Sequence, residues 1–223
     1  MGMERFGALV DHDNFQLRPS HFAPERFAKV EPGDTFYGQE RFPTMHMEMD
    51  IERKLADPDS LEFVGDKRPA LYHAFDKVAE YFPDPKFVFT LREPVAVAAS
   101  YEGRSKAGKN WPRNRDYKAA VKHWNESIRL TLAAIERGRQ IIVTEYRTMF
   151  QCDADPRPLL RQLELEDDEA FSSRLHLLRV QARRMRSKPK HELTEEQEAY
   201  VREHAAFDEY RELLARDSLA TSA

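Results

Sequence analysis

Two short runs of apolar, β-branched and aromatic residues limit the folds open to this chain. The sequence KFVFTL occupies residues 86–91, and QIIVT occupies residues 140–144. Neither run alternates strictly between apolar and polar residues, which is typical of strands in parallel sheets. Helical patterns fill the sequence between and around the two runs. The order of strands and helices therefore predicts an α/β fold with a mainly parallel sheet.

Capping and breaking residues predict where the helices begin and end. Pro94 predicts a helix over residues 94–101, followed by a loop over residues 103–115. Asp116 is a suitable N-cap for a long helix that ends near Gly138, and the helical spacing of its apolar residues places Trp124 in the core. The remaining predicted elements are a short helix ending near His12, a strand at 61–65, a helix from Pro69 to the PDP sequence at 83–85, a short helix within 156–165, and a C-terminal helix with a capping box at Thr194 and Gln197.

Composition excludes several classes of protein. The chain has 223 residues, of which 41% are hydrophobic, so it can bury the core of one sizeable domain over residues 1–223. The net charge of −4 argues against a general nucleic-acid-binding protein. Cys152 is the single cysteine, which suits a reducing compartment and excludes metal sites built from several cysteines. We see no run of 18 apolar residues and no apolar signal region, and therefore expect a cytoplasmic protein without a membrane span.

Basic residues follow two of the predicted strands. Arg92 comes directly after KFVFTL, and Lys67 follows the predicted strand at 61–65. Ligands of parallel sheets bind outside the carboxyl ends of the strands, where Ser100 can also point from the following helix. Two cations and a hydroxyl donor suit a phosphate monoester. The alternative is that Arg92 pairs with Glu93 or another acid and that Ser100 is an ordinary helix residue.

The segment FVFTLREPVAVAASY at 87–101 resembles the 3′-phosphate-binding segment of sulfotransferases that use 3′-phosphoadenosine 5′-phosphosulfate (PAPS). In that family a strand leads into Arg-Asp/Asn/Glu-Pro, with a serine eight residues after the arginine. The GDKRP turn at 65–69 and the segments at 141–166 and 193–201 resemble further parts of the family, in the same order. The resemblance covers about residues 61–202 and implies a nucleotide-binding core there, with residues 1–60 irregular and on the substrate side.

The resemblance implies a P-loop NTPase-like fold, a three-layer sandwich around the parallel sheet. It also implies PAPS as co-substrate without a metal, and a hydroxyl of a small molecule or carbohydrate as acceptor. Arg92 and Ser100 would bind the 3′-phosphate, and Lys67 would lie near the sulfonate or the bridging phosphate. FAPERFA at 22–28 resembles a stretch that carries a catalytic glutamate in some bacterial members, so Glu25 is the first candidate base. The alternative bases are Glu40, His21 and His73.

A basic segment, RVQARRMRSKPKH at residues 179–191, offers further cations. The family contributes a late basic segment to the nucleotide, which makes Arg184 and Lys188 candidate cofactor-binding residues. The alternative is a solvated basic end of a helix. A nucleic-acid patch is disfavoured because no aromatic residues interleave these charges.

The family's phosphate-binding loop, similar to PxSGTxxL after a first strand, is missing from the sequence. Either the sequence begins too late to include the first strand and this loop, or this member has lost them. We expect that position in the sheet to be empty or filled by a partner chain, as in a homodimer. Such a chain would transfer sulfate poorly or not at all, even if it binds nucleotide. Two alternatives stay open: a degenerate, non-catalytic nucleotide-binding or scaffold protein of the same fold, and a nucleotide kinase. The kinase is disfavoured because it needs a Gly-Lys-Ser/Thr loop.

Overall fold

The computed structural model describes residues 6, 9–10, 15–23, 25–26, 65–108, 111–152, 154–165, 172–173, 175–177, 179–180, 183 and 191–217. The chain divides into two compact units, Met1–Pro85 and Lys86–Ala223. The single domain predicted over residues 1–223 stays a prediction. Several predictions lie outside the described residues, namely the strand over 61–64, the missing N-terminal loop, Glu40, Arg184 and Lys188.

The first unit has a small core of its own. One cluster of buried residues contains Phe6, Val10, Leu17 and Ala74, and Phe75 and Val78 of this unit are buried as well. It contains two 3-10 helices, Pro19–Phe22 and Leu71–His73, and helix α1, Phe75–Tyr81. The continuous helix predicted from Pro69 is wrong, because buried Ala74 takes φ −124° and ψ 11° between the last two elements. Val10, which we predicted to be helical, forms an antiparallel bridge with Phe15.

The second unit contains the parallel sheet. Strands β1, Phe87–Leu91, and β2, Ile141–Glu145, pair in parallel, with Phe87 opposite Ile141 and Leu91 opposite Glu145. The prediction of an α/β fold with parallel pairing is confirmed. The helices of this unit are α2, Pro94–Ala107; α3, Tyr117–Glu136; α4, Tyr146–Gln151; α5, Arg157–Gln162; α6, Glu195–His204; and α7, Phe207–Leu214.

Successive residues of β2 face opposite sides of the sheet. Val143 joins the main core cluster, which includes Trp124 and Ile128 from α3 and Leu213 from α7. Ile142 packs on the other side, against Leu159 of α5. Helices therefore cover both faces of β2.

The second face of β1 is less covered than the sequence suggested. Val88 is 45% exposed, and Thr90 is also exposed. The prediction that KFVFTL is buried like a central strand is therefore correct only for the face that carries Phe87 and Leu91, both of which are buried.

The helix caps agree with the sequence where the capping partner is local. Asp116 Oδ1 accepts hydrogen bonds from the backbone N–H groups of Lys118 and Ala119, as an N-cap should. Thr194 and Gln197 form the predicted capping box. Gly138 follows α3 with φ 84°, a conformation that glycine adopts without steric cost.

Two helix boundaries differ from the prediction. Helix α2 runs to Ala107 instead of residue 101, and Gly108 ends it with φ 65°. The predicted C-terminal helix is two helices, because the side chain of Asn125 bonds to the backbone between them. Its Nδ2 donates to His204 O at 2.8 Å, and its Oδ1 accepts from Ala206 N at 2.8 Å. No helix within the described part of the chain is long and apolar enough to cross a membrane.

Candidate functional site

Arg92 lies where the sequence predicted, directly after the last residue of β1. Its side chain is half-buried, and its guanidinium makes no hydrogen bond or ion pair with any residue that the structure describes. The neighbouring Glu93 is engaged elsewhere. Its carboxylate accepts hydrogen bonds from the backbone N–H groups of Val95 at 3.1 Å and Ala96 at 2.8 Å. The alternative in which Arg92 pairs with Glu93 is therefore wrong.

The capping by Glu93 limits how an anion could bind at this edge of the sheet. The N-terminus of a helix ordinarily attracts phosphate through its free N–H groups and its dipole. In α2 two of these N–H groups already bind a carboxylate, whose charge also opposes a second anion. A phosphate group at this position therefore depends on side chains, and Arg92 supplies the nearest cation in sequence.

Two aromatic residues hold Arg92. The indole Nε1 of Trp124 donates a hydrogen bond of 2.8 Å to the backbone carbonyl of Arg92. The guanidinium carbon of Arg92 lies 5.3 Å from the centre of the Tyr146 ring, within the range of a cation–π contact. Since β1 and β2 pair in register to Leu91 and Glu145, Arg92 and Tyr146 are the next residues along each strand. Sequence reasoning assigned Trp124 to the core, which its 6% exposure confirms, but missed both contacts to Arg92.

Ser100 lies in α2 on the side away from the packed face. It is about 200° around the helix axis from buried Ala98. Its side chain is half-buried, and its hydroxyl has no hydrogen bond among the residues in the described ranges. No described contact joins Ser100 to Arg92, so their joint site stays a prediction.

The end of the basic segment reaches the same helix. A Cβ atom at Gly103 would lie 2.8 Å from the Cβ of His191, so the two residues pack in direct contact. Gly103 is three residues after Ser100, which places the two on neighbouring positions of one helix face. Lys106 Nζ also lies 3.4 Å from His191 Nε2. His191 is the last residue of the segment that contains Arg184 and Lys188, and these two lie outside the described residues.

The other candidates belong to the first unit. Glu25 is exposed, and Lys67 is exposed with its backbone N–H bonded to Asp66 Oδ1 at 2.8 Å. Asp66 also accepts a hydrogen bond from Phe6 N, which ties the turn before Lys67 to the start of the chain. His21 Nδ1 accepts from Arg18 N at 3.0 Å, so this nitrogen has a local structural role and is a poor candidate base. His73 is exposed and its ring lies 4.4 Å from that of Tyr72.

Two titratable side chains of the second unit, Glu102 and Tyr210, are buried. Burial raises the pKa of the Glu102 carboxyl, but hydrogen bonds from Lys106, Tyr117 and Gln197 outweigh it and hold the pKa below its ordinary value. Burial, together with the carboxylates of Glu145 and Glu93, raises the pKa of Tyr210 to about 12. Tyr210 packs against Trp124 with ring centres 5.4 Å apart. The phenol therefore stays protonated near neutral pH and contributes packing.

Potential metal ligands do not cluster among the described residues. Within the residues that the structure describes, no set of three or more His, Cys, Asp or Glu side chains could hold a metal ion. The single cysteine, Cys152, is exposed.

Comparison with known proteins identifies a family for this chain. The model of the sulfotransferase family matches residues 13–169, which is more than half of the 223-residue chain. The matched region contains Glu25, Lys67, Arg92 and Ser100, while Arg184 and Lys188 lie beyond it. No curated protein and no solved structure matches the chain.

Proposed function

Because the chain belongs to the sulfotransferase family, we propose that it transfers a sulfuryl group from PAPS to a hydroxyl group of a small molecule or sugar. The proposal that the chain binds the nucleotide rests on the surroundings of two side chains, Arg92 and Ser100. Both are half-buried, and neither side chain has a hydrogen-bonding partner in the described part of the chain. A positively charged group without an acidic partner at the carboxyl end of a parallel strand fits an anionic ligand.

The chemistry of the two side chains favours a terminal phosphate. A guanidinium offers a planar fork of N–H donors that matches two phosphate oxygens, and a serine hydroxyl adds one neutral donor. PAPS and its product, adenosine 3′,5′-bisphosphate, carry such a group at the 3′ position. Arg184 and Lys188 add further cations in this proposal, because their segment ends at His191 against α2.

Sulfuryl transfer needs a base for the acceptor hydroxyl and a positively charged group beside the leaving phosphate. In the proposed reaction the acceptor oxygen forms a bond to sulfur, and the bond between sulfur and the bridging phosphate oxygen breaks. Glu25 takes the proton of the acceptor hydroxyl, and Lys67 stabilises the negative charge that develops on the leaving phosphate. Both roles rest on the family resemblance.

The proposed fold is the three-layer, P-loop-like arrangement of the family. Two features of the second unit support it: the parallel pairing of β1 with β2, and the packing of α3 and α7 on one face of β2 and α5 on the other. The cellular location we propose is the cytoplasm, which the single cysteine supports.

Titration calorimetry with adenosine 3′,5′-bisphosphate tests the 3′-phosphate site. We expect Arg92→Ala to weaken binding by about 2–4 kcal/mol, the typical cost of removing one partner of a buried charge pair. Ser100→Ala should cost about 1 kcal/mol, the contribution of one hydrogen bond. Adenosine 5′-monophosphate, which lacks the 3′-phosphate, should bind equally to all three proteins. The control is Arg129→Ala, which removes an exposed arginine that pairs with Glu209.

Transfer itself is measured with PAPS labelled in the sulfonate and a panel of hydroxyl acceptors. Transfer that is abolished in Glu25→Gln and Lys67→Ala, with nucleotide binding retained, would support the proposed roles. Binding of the bisphosphate without transfer to any acceptor would favour the non-catalytic alternative. Equal bisphosphate affinity in the wild type and Arg92→Ala would overturn the proposed nucleotide site.

A further inference from the structure

We propose that Trp124 and Tyr146 are positioning residues that hold Arg92 in the orientation that binds the 3′-phosphate. The inference rests on the proposed function and goes beyond it, because neither aromatic residue contacts the nucleotide in this scheme. Trp124 fixes the backbone of Arg92, and Tyr146 fixes its guanidinium. Together they hold both ends of a residue that has no ion pair with the described part of the chain.

The backbone contact is rigid because its donor belongs to the core. Trp124 is 6% exposed and lies in the cluster formed by Leu91, Ile128 and Tyr210, among others. Its indole N–H needs a hydrogen-bond acceptor when buried, and the Arg92 carbonyl supplies it at 2.8 Å. Arg92 lies one residue beyond Leu91, the last residue of β1 that pairs with β2, so its carbonyl takes no part in the sheet ladder. The Trp124 bond fixes the peptide at this turn.

The side-chain contact limits the freedom of the guanidinium. An arginine side chain loses rotamer entropy when it is fixed, and this loss weakens ligand binding unless the side chain is already ordered before the ligand arrives. The Tyr146 ring lies 5.3 Å from the guanidinium carbon and itself packs against Phe150, with ring centres 5.1 Å apart. A cation–π contact is an attraction between a charge and the ring and needs no hydrogen bond, so it does not use up the N–H donors of the guanidinium. Tyr146 therefore orders Arg92 without using the donors that a phosphate needs.

The parallel register makes this arrangement possible. Arg92 and Tyr146 follow paired strands that end at Leu91 and Glu145, so they stand side by side at the same sheet edge. A carboxylate in place of Tyr146 would neutralise the guanidinium and compete with the ligand. An aromatic ring attracts the cation and leaves its charge in place.

A double-mutant cycle distinguishes positioning from general stability. Calorimetry compares adenosine 3′,5′-bisphosphate with adenosine 5′-monophosphate on the wild type, on the single variants Arg92→Ala, Trp124→Phe and Tyr146→Leu, and on each aromatic substitution combined with Arg92→Ala. We expect each aromatic substitution to weaken bisphosphate binding about three- to tenfold, the scale of ordering one long side chain, and to leave monophosphate binding unchanged. In the Arg92→Ala background neither substitution should have a further effect on either ligand.

Two control variants separate the alternatives. Tyr146→Phe keeps the ring and should keep bisphosphate affinity, which rescues the loss seen in Tyr146→Leu. Ile128→Val removes one methylene from the core cluster of Trp124 and should change stability without changing the preference between the two ligands. If Trp124→Phe fails to fold, Tyr146→Leu at the half-buried start of α4 still tests the proposal.

Each outcome has one meaning. Aromatic substitutions that weaken both ligands equally, or that act independently of Arg92, would show a merely structural role and overturn the positioning proposal. If Arg92→Ala lowers bisphosphate affinity but neither Trp124→Phe nor Tyr146→Leu does so, the positioning proposal is wrong and the proposed nucleotide site stands. If Arg92→Ala has no effect, the proposed site is wrong, and the positioning proposal is overturned with it.

Discussion

The Glu102 carboxylate connects three helices, and its removal should lower stability in a pH-dependent way. Glu102 lies in α2 and is 6% exposed. It accepts hydrogen bonds from Tyr117 N at the start of α3, at 3.3 Å, and from Gln197 Nε2 in α6, at 3.0 Å. Lys106 Nζ lies 3.1 Å from it. The carboxylate therefore fixes the N-terminal turns of α3 and α6 to α2.

The size of the effect follows from these contacts. A hydrogen bond to a charged group contributes about 1.5–3 kcal/mol, and a negative charge at a helix N-terminus adds about 0.3–1 kcal/mol. Glu102→Gln removes the charge but keeps one carbonyl oxygen that can accept from Tyr117 or Gln197. We therefore expect the free energy of unfolding to fall by about 2 kcal/mol at pH 7.

The lowered pKa of Glu102 sets the sign of the pH dependence. A carboxyl whose pKa is lower in the folded state than the ordinary 4.5 stabilises the fold above pH 4.5. This contribution is lost as the pH falls through the folded-state pKa, which lies below that value. The difference between wild type and Glu102→Gln should therefore be full near neutral pH and should shrink at about pH 3.

Urea unfolding followed by circular dichroism at both pH values measures the difference. The control is Glu212→Gln, which removes an exposed carboxylate paired with Arg216 four residues away and should cost less than about 0.5 kcal/mol. Equal stability of wild type and Glu102→Gln at pH 7, or a difference that does not change with pH, would refute the reasoning.

Two further substitutions test the packing near the site. Gly103→Ala should destabilise the fold although alanine favours helices by about 1 kcal/mol, because the new Cβ would lie 2.8 Å from the Cβ of His191. Urea unfolding checks this, and the double variant with His191→Gly should recover the lost stability; a more stable Gly103→Ala single variant would contradict the contact. Burial and the carboxylates of Glu145 and Glu93 raise the pKa of Tyr210 to about 12, so stability should fall as the pH rises above the ordinary tyrosine pKa of about 10. Tyr210→Phe should reduce this fall in urea unfolding at alkaline pH, and an unchanged slope would count against the burial of the phenol.

The sequence by itself determined the elements whose signals are local. The two strands follow from short apolar runs, and their parallel pairing follows from the helices between them. Asp116 and the Thr194–Gln197 pair marked helix starts correctly, because a capping side chain bonds to backbone groups two or three residues away. The position of Arg92 at the strand end was also predictable, since it is adjacent to β1 in the chain.

Tertiary structure alone decided the features that depend on distant residues. The break between α6 and α7 exists because Asn125, about 80 residues earlier, bonds to the backbone on both sides of it. Helix α2 continues through Gly103, where the sequence predicted a loop, and the missing side chain there admits His191. Propensity is a weak preference of about 1 kcal/mol per residue, which packing between helices can outweigh.

The surroundings of Arg92 show the same division. A helical spacing of apolar residues placed Trp124 in the core, but the spacing cannot say which acceptor its N–H group finds. That acceptor, the carbonyl of Arg92, lies 32 residues earlier in the chain. Tyr146 lies beside Arg92 only because the register of β1 and β2 is fixed by pairing across the sheet. The sequence shows which residues are present at these positions. The contacts of Arg92 with Trp124 and Tyr146 form only because the two strands pair over a long distance in the chain and α3 packs over them.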